Sequence, residues 1–326
     1  MNGLNILLYY IYFVINSIIY FLYSNPKLLR TILLLILIVP TDISIVFLSL
    51  FYKDYKKYST YIPKLYVENI ANISKEENLY IYNKNNTIKK TNKNVIIYIH
   101  GGAGIFKFPS IYAYKIFDNT IPNNNLYDKY YISYPLAYNI NNYKDMINSV
   151  IVNLQHIFNL QYDKYIIFSD SMGGSLAYYS LLQLYNTHYI KNKFIYTYLI
   201  SPYIYIKLIN KDNNSHNDYI TSYIFNTYLN NEYNTNIAYI GNPAINIDIT
   251  KEMSEDIVNY YNIKIYYSDS EFLAPSIKHF IKVYNIPNII IKNSSHCEFF
   301  YLMNFIYNNE ENSLIIDKNK YELIIN

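Results

Sequence analysis

Val95-Ile96-Ile97-Tyr98-Ile99-His100-Gly101-Gly102-Ala103-Gly104 and Tyr165-Ile166-Ile167-Phe168-Ser169-Asp170-Ser171-Met172-Gly173-Gly174 are the stretches that decide the fold. Each opens with a short, continuous run of β-branched and aromatic residues, the pattern of a strand buried on both faces. Each then breaks into a turn of small residues. The first turn is rich in backbone N–H groups that no large side chain shields. In the second, a serine stands where a strand turns sharply into a helix.

Working outward, from about Leu79 the chain alternates short β-rich runs with helix-length segments. That alternation predicts an α/β fold: a mostly parallel sheet with helices on both faces. The strands are expected at Leu79–Tyr82, Val95–His100, Tyr130–Tyr134, Tyr165–Phe168, Phe194–Ile200, Ile263–Tyr267 and Ile289–Lys292. Helices are expected at Tyr143–Phe158, Gly173–Tyr185, Pro275–Tyr284 and Glu298–Tyr307, with Pro275 in a first turn where its missing N–H costs little. A stretch rich in Tyr, Asn and Ile between Pro202 and about Asp256 is too long for an ordinary loop. It reads as a cap insertion, about 203–256, over the site.

The chain's 326 residues suit one α/β domain with an appendage. Hydrophobic residues make up 52%, enough for a large core, while charged residues make up only 16%, low for a freely soluble protein. The 44 tyrosines stand beside abundant Asn, Ile and Lys, all with AT-rich codons, so tyrosine abundance by itself marks no binding surface. A net charge of +3 falls short of the basic footprint of a nucleic-acid binder. The single cysteine, Cys297, excludes an intramolecular disulfide. No Cys/His cluster has metal-ligand spacing and no phosphate-cradling loop is present, so neither a metal nor a cofactor is expected.

Residues 1–60 read as a hydrophobic membrane-anchor region and 61–326 as the α/β domain. Leu4 to Tyr23 is a run without a charge, long enough to cross a hydrocarbon core of roughly 30 Å. Thr31 to Tyr52 is as long but carries Pro40 and Asp42, and a mid-bilayer aspartate costs about 2.5–3.5 kcal/mol. The second stretch therefore fits an interfacial, re-entrant or packed segment better than a simple span. An uncleaved anchor fits the first better than a signal peptide, because no basic residue precedes it and no Ala-x-Ala follows. Lys27 and Arg30 behind the first stretch, and Lys53, Lys56 and Lys57 behind the second, give opposite orientations for one span and for two.

A serine hydroxyl is a weak nucleophile at neutral pH and needs a base within hydrogen-bond reach. Ser171, exposed on its turn and followed by Gly173 and Gly174, which allow close packing of the helix, suits nucleophilic acyl transfer. Such chemistry also needs N–H groups aimed at the developing oxyanion. Gly101, Gly102 and Met172, the residue after the serine, are expected to supply them, with His100 orienting the loop.

With Tyr134-Pro135-Leu136-Ala137 and Asp145 between them, the His100–Gly104 and Ser169–Gly174 runs resemble those of the hormone-sensitive-lipase-like esterases, members of the α/β-hydrolases. The likeness spans about Val95 to Tyr307, and similar members include membrane-anchored arylacetamide and sterol-ester deacetylases. It implies an α/β-hydrolase fold and a catalytic serine, acid and histidine in that chain order. On that pattern His296, in Ser295-His296-Cys297-Glu298-Phe299, is the base, resembling the family's His-x-Phe ending with one extra residue. The acid falls in Ser268-Asp269-Ser270-Glu271-Phe272-Leu273, where the family's acid-x-Leu pattern favours Glu271 and proximity to the strand end keeps Asp269 open. Ser169 and Ala103 stand where the family carries glycine.

The resemblance implies a carboxylic-ester hydrolase, a lipase or esterase acting on lipid or other apolar esters. It would sit at the endoplasmic reticulum or another internal membrane, with oligomeric state open. Two other readings keep the fold: a catalytically silent binder of an apolar ligand or partner, and an amidase or peptidase.

Overall fold

The computed structural model describes residues 73–76, 79–82, 90–102, 116–135, 144–185, 194–204 and 251–325. The β-branched runs become strands: β1 (Ile73–Glu76), β2 (Leu79–Tyr82), β3 (Asn94–Ile99), β4 (Tyr127–Ile132), β5 (Lys164–Asp170), β6 (Phe194–Ile200), β7 (Ile263–Ser268), β8 (Asn288–Ile291) and, near the C-terminus, β11 (Leu323–Ile325). They form a nine-stranded sheet in the order β1-β2-β4-β3-β5-β6-β7-β8-β11. From β4 to β8 neighbours are parallel; β1, β2 and β11 add antiparallel edges.

Alternate residues of the central strands feed two cores, as a period of two requires when both faces are covered. Val95, Ile97, Ile99, Tyr165 and Ile167 pack under α1 (Lys144–Asn159) and α2 (Ser171–Tyr185), which contribute Val150, Leu154, Leu176 and Leu181. Ile96, Tyr98, Ile166 and Phe168 face the other way, toward Ile116, Phe117, Phe299 and Phe300. Helix α2 is apolar nearly all round because it lies between the sheet and other helices, whereas α1 keeps one polar face.

Helix α3 (Lys251–Tyr260) buries Ile257 and Val258 in the first of these cores. The end of the expected 203–256 insertion therefore belongs to the helix layer, and residues 205–250 lie outside the described residues. Helix α4 (Ala274–Tyr284) carries Pro275 in its first turn, as expected, and ends on Asn285 at φ 52°, whose N–H donates to Ile281 O. Asn123, Asn262, Asn293 and Asn312 are left-handed too.

One expected element is corrected. The helix over Glu298–Tyr307 stops early: α5 spans Glu298–Tyr301, and Met303 at φ 54° turns the chain into β9 (Phe305–Asn308). Strand β9 pairs antiparallel with β10 (Ser313–Ile316) and buries Phe305 and Tyr307 while exposing Ile306, a two-residue period that a helix cannot satisfy.

Among the described residues no helix is long and apolar enough to cross a membrane. The expected anchor at Leu4–Tyr23 and the stretch Thr31–Tyr52 lie outside the described residues.

Candidate active site

Strands β3 and β5 are neighbours, but the chain leaves β3 for β4 on one side and returns to β5 on the other. Such a switch in strand order opens a crevice at the carboxyl ends, where ligands settle in open α/β sheets. Both diagnostic turns fall there, His100–Gly102 after β3 and Ser171 after β5.

Ser171 opens α2 with φ 48°, a left-handed conformation that costs a non-glycine residue about 1–2 kcal/mol. Its surroundings hold it there. Ser171 O accepts the Tyr203 N–H at 2.9 Å. Below it, Gly173 lies so close to β3 that a Cβ would come within 2.3 Å of the carbonyl oxygens of both Ile99 and His100. Ser169, where the resembled family has glycine, is accommodated in β5: its buried hydroxyl donates to Tyr198 O on β6 at 3.4 Å.

In the glycine turn, Tyr134 stacks on His100 with ring centroids 4.4 Å apart and donates its hydroxyl to His100 O (3.0 Å) and Gly101 O (2.9 Å). His100 Nδ1–H also donates to Gly101 O at 2.6 Å. Because a peptide unit is planar and trans, fixing the Gly101 carbonyl aims the Gly102 N–H the opposite way. Gly102 itself takes φ 95°, which a side chain would resist. The expectation for Gly101 is corrected. Its N–H donates to Asp170 Oδ1 at 3.0 Å, and a Cβ there would sit 2.2 Å from Asp170 Oδ2. An N–H turned down onto a buried carboxylate does not face the crevice. Met172 lies in a first helical turn, whose N–H groups have no intrahelical acceptor. Ala103 lies outside the described residues.

The third corner is built from the ends of β7 and β8. His296 Nδ1–H donates to Glu271 Oε2 at 3.2 Å, with both side chains almost wholly buried. Asp269, the other carboxylate considered from sequence, turns away: its Oδ1 accepts from Asn293 N (3.2 Å) and the Ser270 hydroxyl (3.3 Å). The structure therefore brings Glu271 to the histidine. Ser201, at the end of β6, donates to Glu271 Oε2 at 2.7 Å and accepts the Cys297 N–H at 3.3 Å, tying Glu271 to the loop that carries His296. Glu298 steadies the same loop by accepting from Ser295 N (2.9 Å) and Ser295 Oγ (2.8 Å).

Burial alone would push the His296 pKa down, but contacts with Cys297 and with Glu271 outweigh it and hold it well above the usual histidine value. Glu271 is the partner that matters near neutral pH, because burial pushes the Cys297 thiol up to about 11 and leaves it uncharged. For the same reason Cys297, though next to the histidine, is not a thiolate nucleophile.

Three supporting residues are not singled out by the sequence reading. Ser201 carried one faint signal, a small polar residue directly after an apolar strand. Tyr98 and Tyr301, which donate to Asp170 at 2.7 and 2.6 Å, are lost among 44 tyrosines.

Among solved structures, a carboxyl esterase 2 from the mycorrhizal fungus Tuber melanosporum superposes with a TM-score of 0.51 at 15% sequence identity, over 69% of this chain and 75% of that one. A thermostable esterase from Pseudomonas putida superposes with a TM-score of 0.51 at 12% identity, over 77% of this chain and 82% of that one. At such identities the likeness is one of fold, and with the sheet order it matches the α/β-hydrolase fold. No protein-family model and no curated protein sequence matches the chain.

Proposed function

We propose that this protein is a serine carboxylic-ester hydrolase, an esterase or lipase. The observation that carries the reading is the buried Glu271–His296 pair on the same sheet edge as a serine held left-handed at a strand-to-helix elbow. Ser171 Oγ attacks the ester carbonyl while His296 takes its proton; Glu271 fixes the imidazole tautomer and stabilises the imidazolium. The Gly102 and Met172 N–H groups receive the oxyanion, each such donor being worth about 10²–10³ in rate. His296 then protonates the leaving alcohol, and water releases the acyl group by the same steps in reverse.

Lipid or other apolar esters are the proposed substrates, as in the membrane-anchored deacetylases that the motifs resemble. Support comes from the apolar run Leu4–Tyr23, read as an anchor to an internal membrane, and from the aromatic stretch after Pro202, read as a cap. The two structural neighbours named above are esterases, which agrees with ester chemistry.

The test is fluorophosphonate labelling of membranes expressing the chain, with Ser171→Ala alongside. Labelling that disappears in the variant is expected. Folded wild-type protein that takes no label would leave a silent hydrolase fold. Faster turnover of amides than of esters with one acyl group would redirect the reading to an amidase.

A further inference from the structure

Asp170 is fully buried at the end of β5, one residue before Ser171, and two segments far apart in sequence converge on it, β3 with its glycine turn and α5. Tyr98 of β3 donates to Oδ1 at 2.7 Å, Gly101 N donates to Oδ1 at 3.0 Å, and Tyr301 of α5 donates to Oδ2 at 2.6 Å. Tyr301 closes the short segment that begins with His296, so one carboxylate joins the elbow, the glycine turn and the base-bearing loop. We infer that Tyr301 is a positioning residue: through Asp170 it sets the glycine turn and the His296 loop in one register, so that oxyanion donors and base are placed together. The inference rests on the hydrolase reading above.

The geometry leaves the turn little freedom of its own. The Gly101 backbone lies directly against the Asp170 carboxylate, and its carbonyl is held from the other side by Tyr134 and His100. A displaced carboxylate therefore displaces the Gly101 peptide, and with it the Gly102 N–H. Buried carboxylates keep their place only while donors satisfy them. Burial pushes the Asp170 carboxyl up; Tyr301 is first among the hydrogen bonds that hold it down, followed by Tyr98 and Gly101. The titratable groups that face it are Tyr98, Tyr134, His296, Cys297 and Tyr301.

His100–Gly101 is the one His–Gly pair in the chain, so carbonyl-¹³C histidine with ¹⁵N glycine singles out the Gly101 amide of the full-length protein. In wild type this resonance should move with pH as Asp170 titrates. Tyr301→Phe keeps the ring and removes the donor, so the midpoint should move to higher pH. With p-nitrophenyl butyrate as substrate, kcat should fall about tenfold while KM stays within about twofold, the signature of misplaced reacting groups and not of lost binding. Tyr98→Phe should act in the same direction, and the double variant should lose less than the product of the two. An unmoved Gly101 midpoint in Tyr301→Phe, or wild-type kcat, overturns the inference; so does a lowered Tm with both unchanged. Should Tyr301→Phe fail to fold, Tyr98→Phe carries the same readouts. A wild type without Ser171-dependent turnover sinks the hydrolase reading instead, and the Gly101 midpoint still decides the coupling.

Discussion

Two aspartates are buried at opposite edges of one sheet, and each is wrapped in hydrogen-bond donors. Asp128, near the start of β4, accepts from Thr91 N (2.8 Å), the Thr91 hydroxyl, Asn92 N (3.2 Å), Asn92 Nδ2 (3.0 Å) and Tyr162 OH (2.7 Å). Asp170, at the end of β5, accepts from Tyr98, Gly101 and Tyr301. The chemistry is the same, but the segments held differ. Asp128 ties down the approach to β3 and the turn before β5, which only need to stay put. Asp170 holds the turn and the loop that flank the proposed nucleophile. An identical device supplies stability at the amino edge and placement at the carboxyl edge, so the two should part under mutation.

The widest separation should come from Glu271→Gln. Removing the charge that orients His296 should lower kcat by about 10³–10⁴-fold with the fold intact, read by ester turnover beside circular dichroism. Next is the pH profile. A base must be neutral to act, and His296 has a raised pKa, so turnover should climb with pH through that value, well above the usual histidine range. Glu271→Gln should slide the residual rise to lower pH. The linked stability has the opposite sense: the Glu271–His296 pair stabilises fully below the unfolded histidine pKa and is lost as pH climbs through the folded one. At the amino edge, Asp128→Asn places an amide NH₂ among donors. It should cost about 2–4 kcal/mol in urea unfolding and leave kcat unchanged. A kcat loss there as large as the stability loss implies would erase the contrast between the edges. The smallest change in stability is a gain. Ser171→Gly should abolish turnover yet stabilise the fold by about 1 kcal/mol, because the strained φ is then free.

Much of this architecture could be read in advance, for a local reason. A strand buried on both faces leaves a continuous β-branched run, and an elbow or glycine turn leaves small residues at fixed places, so β3, β5 and Ser171 announce themselves. The sequence leaves both Glu271 and Asp269 open because neighbouring carboxylates on one loop differ only in where the loop points them. The role of the Gly101 N–H is not legible locally, because its acceptor, Asp170, lies 69 positions away and nothing near Gly101 reveals it. Strand β9 reads as the end of a helix because a four-residue run of Phe, Ile and Tyr carries too little periodicity to tell the two apart. Tyr301 and Ser201 matter only through partners that the fold brings to them.

The left-handed asparagines have a consequence of their own. Glycine usually serves two needs at once, an unusual backbone twist and room for another chain to touch. Here Asn123, Asn262, Asn285, Asn293 and Asn312 meet much of the first need. Of the chain's seven glycines, Gly101, Gly102, Gly104, Gly173 and Gly174 all fall in the two diagnostic stretches. Two tasks that most proteins merge are in large part divided between two residue types, Gly102 at φ 95° still serving both. A saturation map of this protein should then show asparagine positions that accept glycine and glycine positions that accept nothing. The second set alone would draw the outline of the active edge.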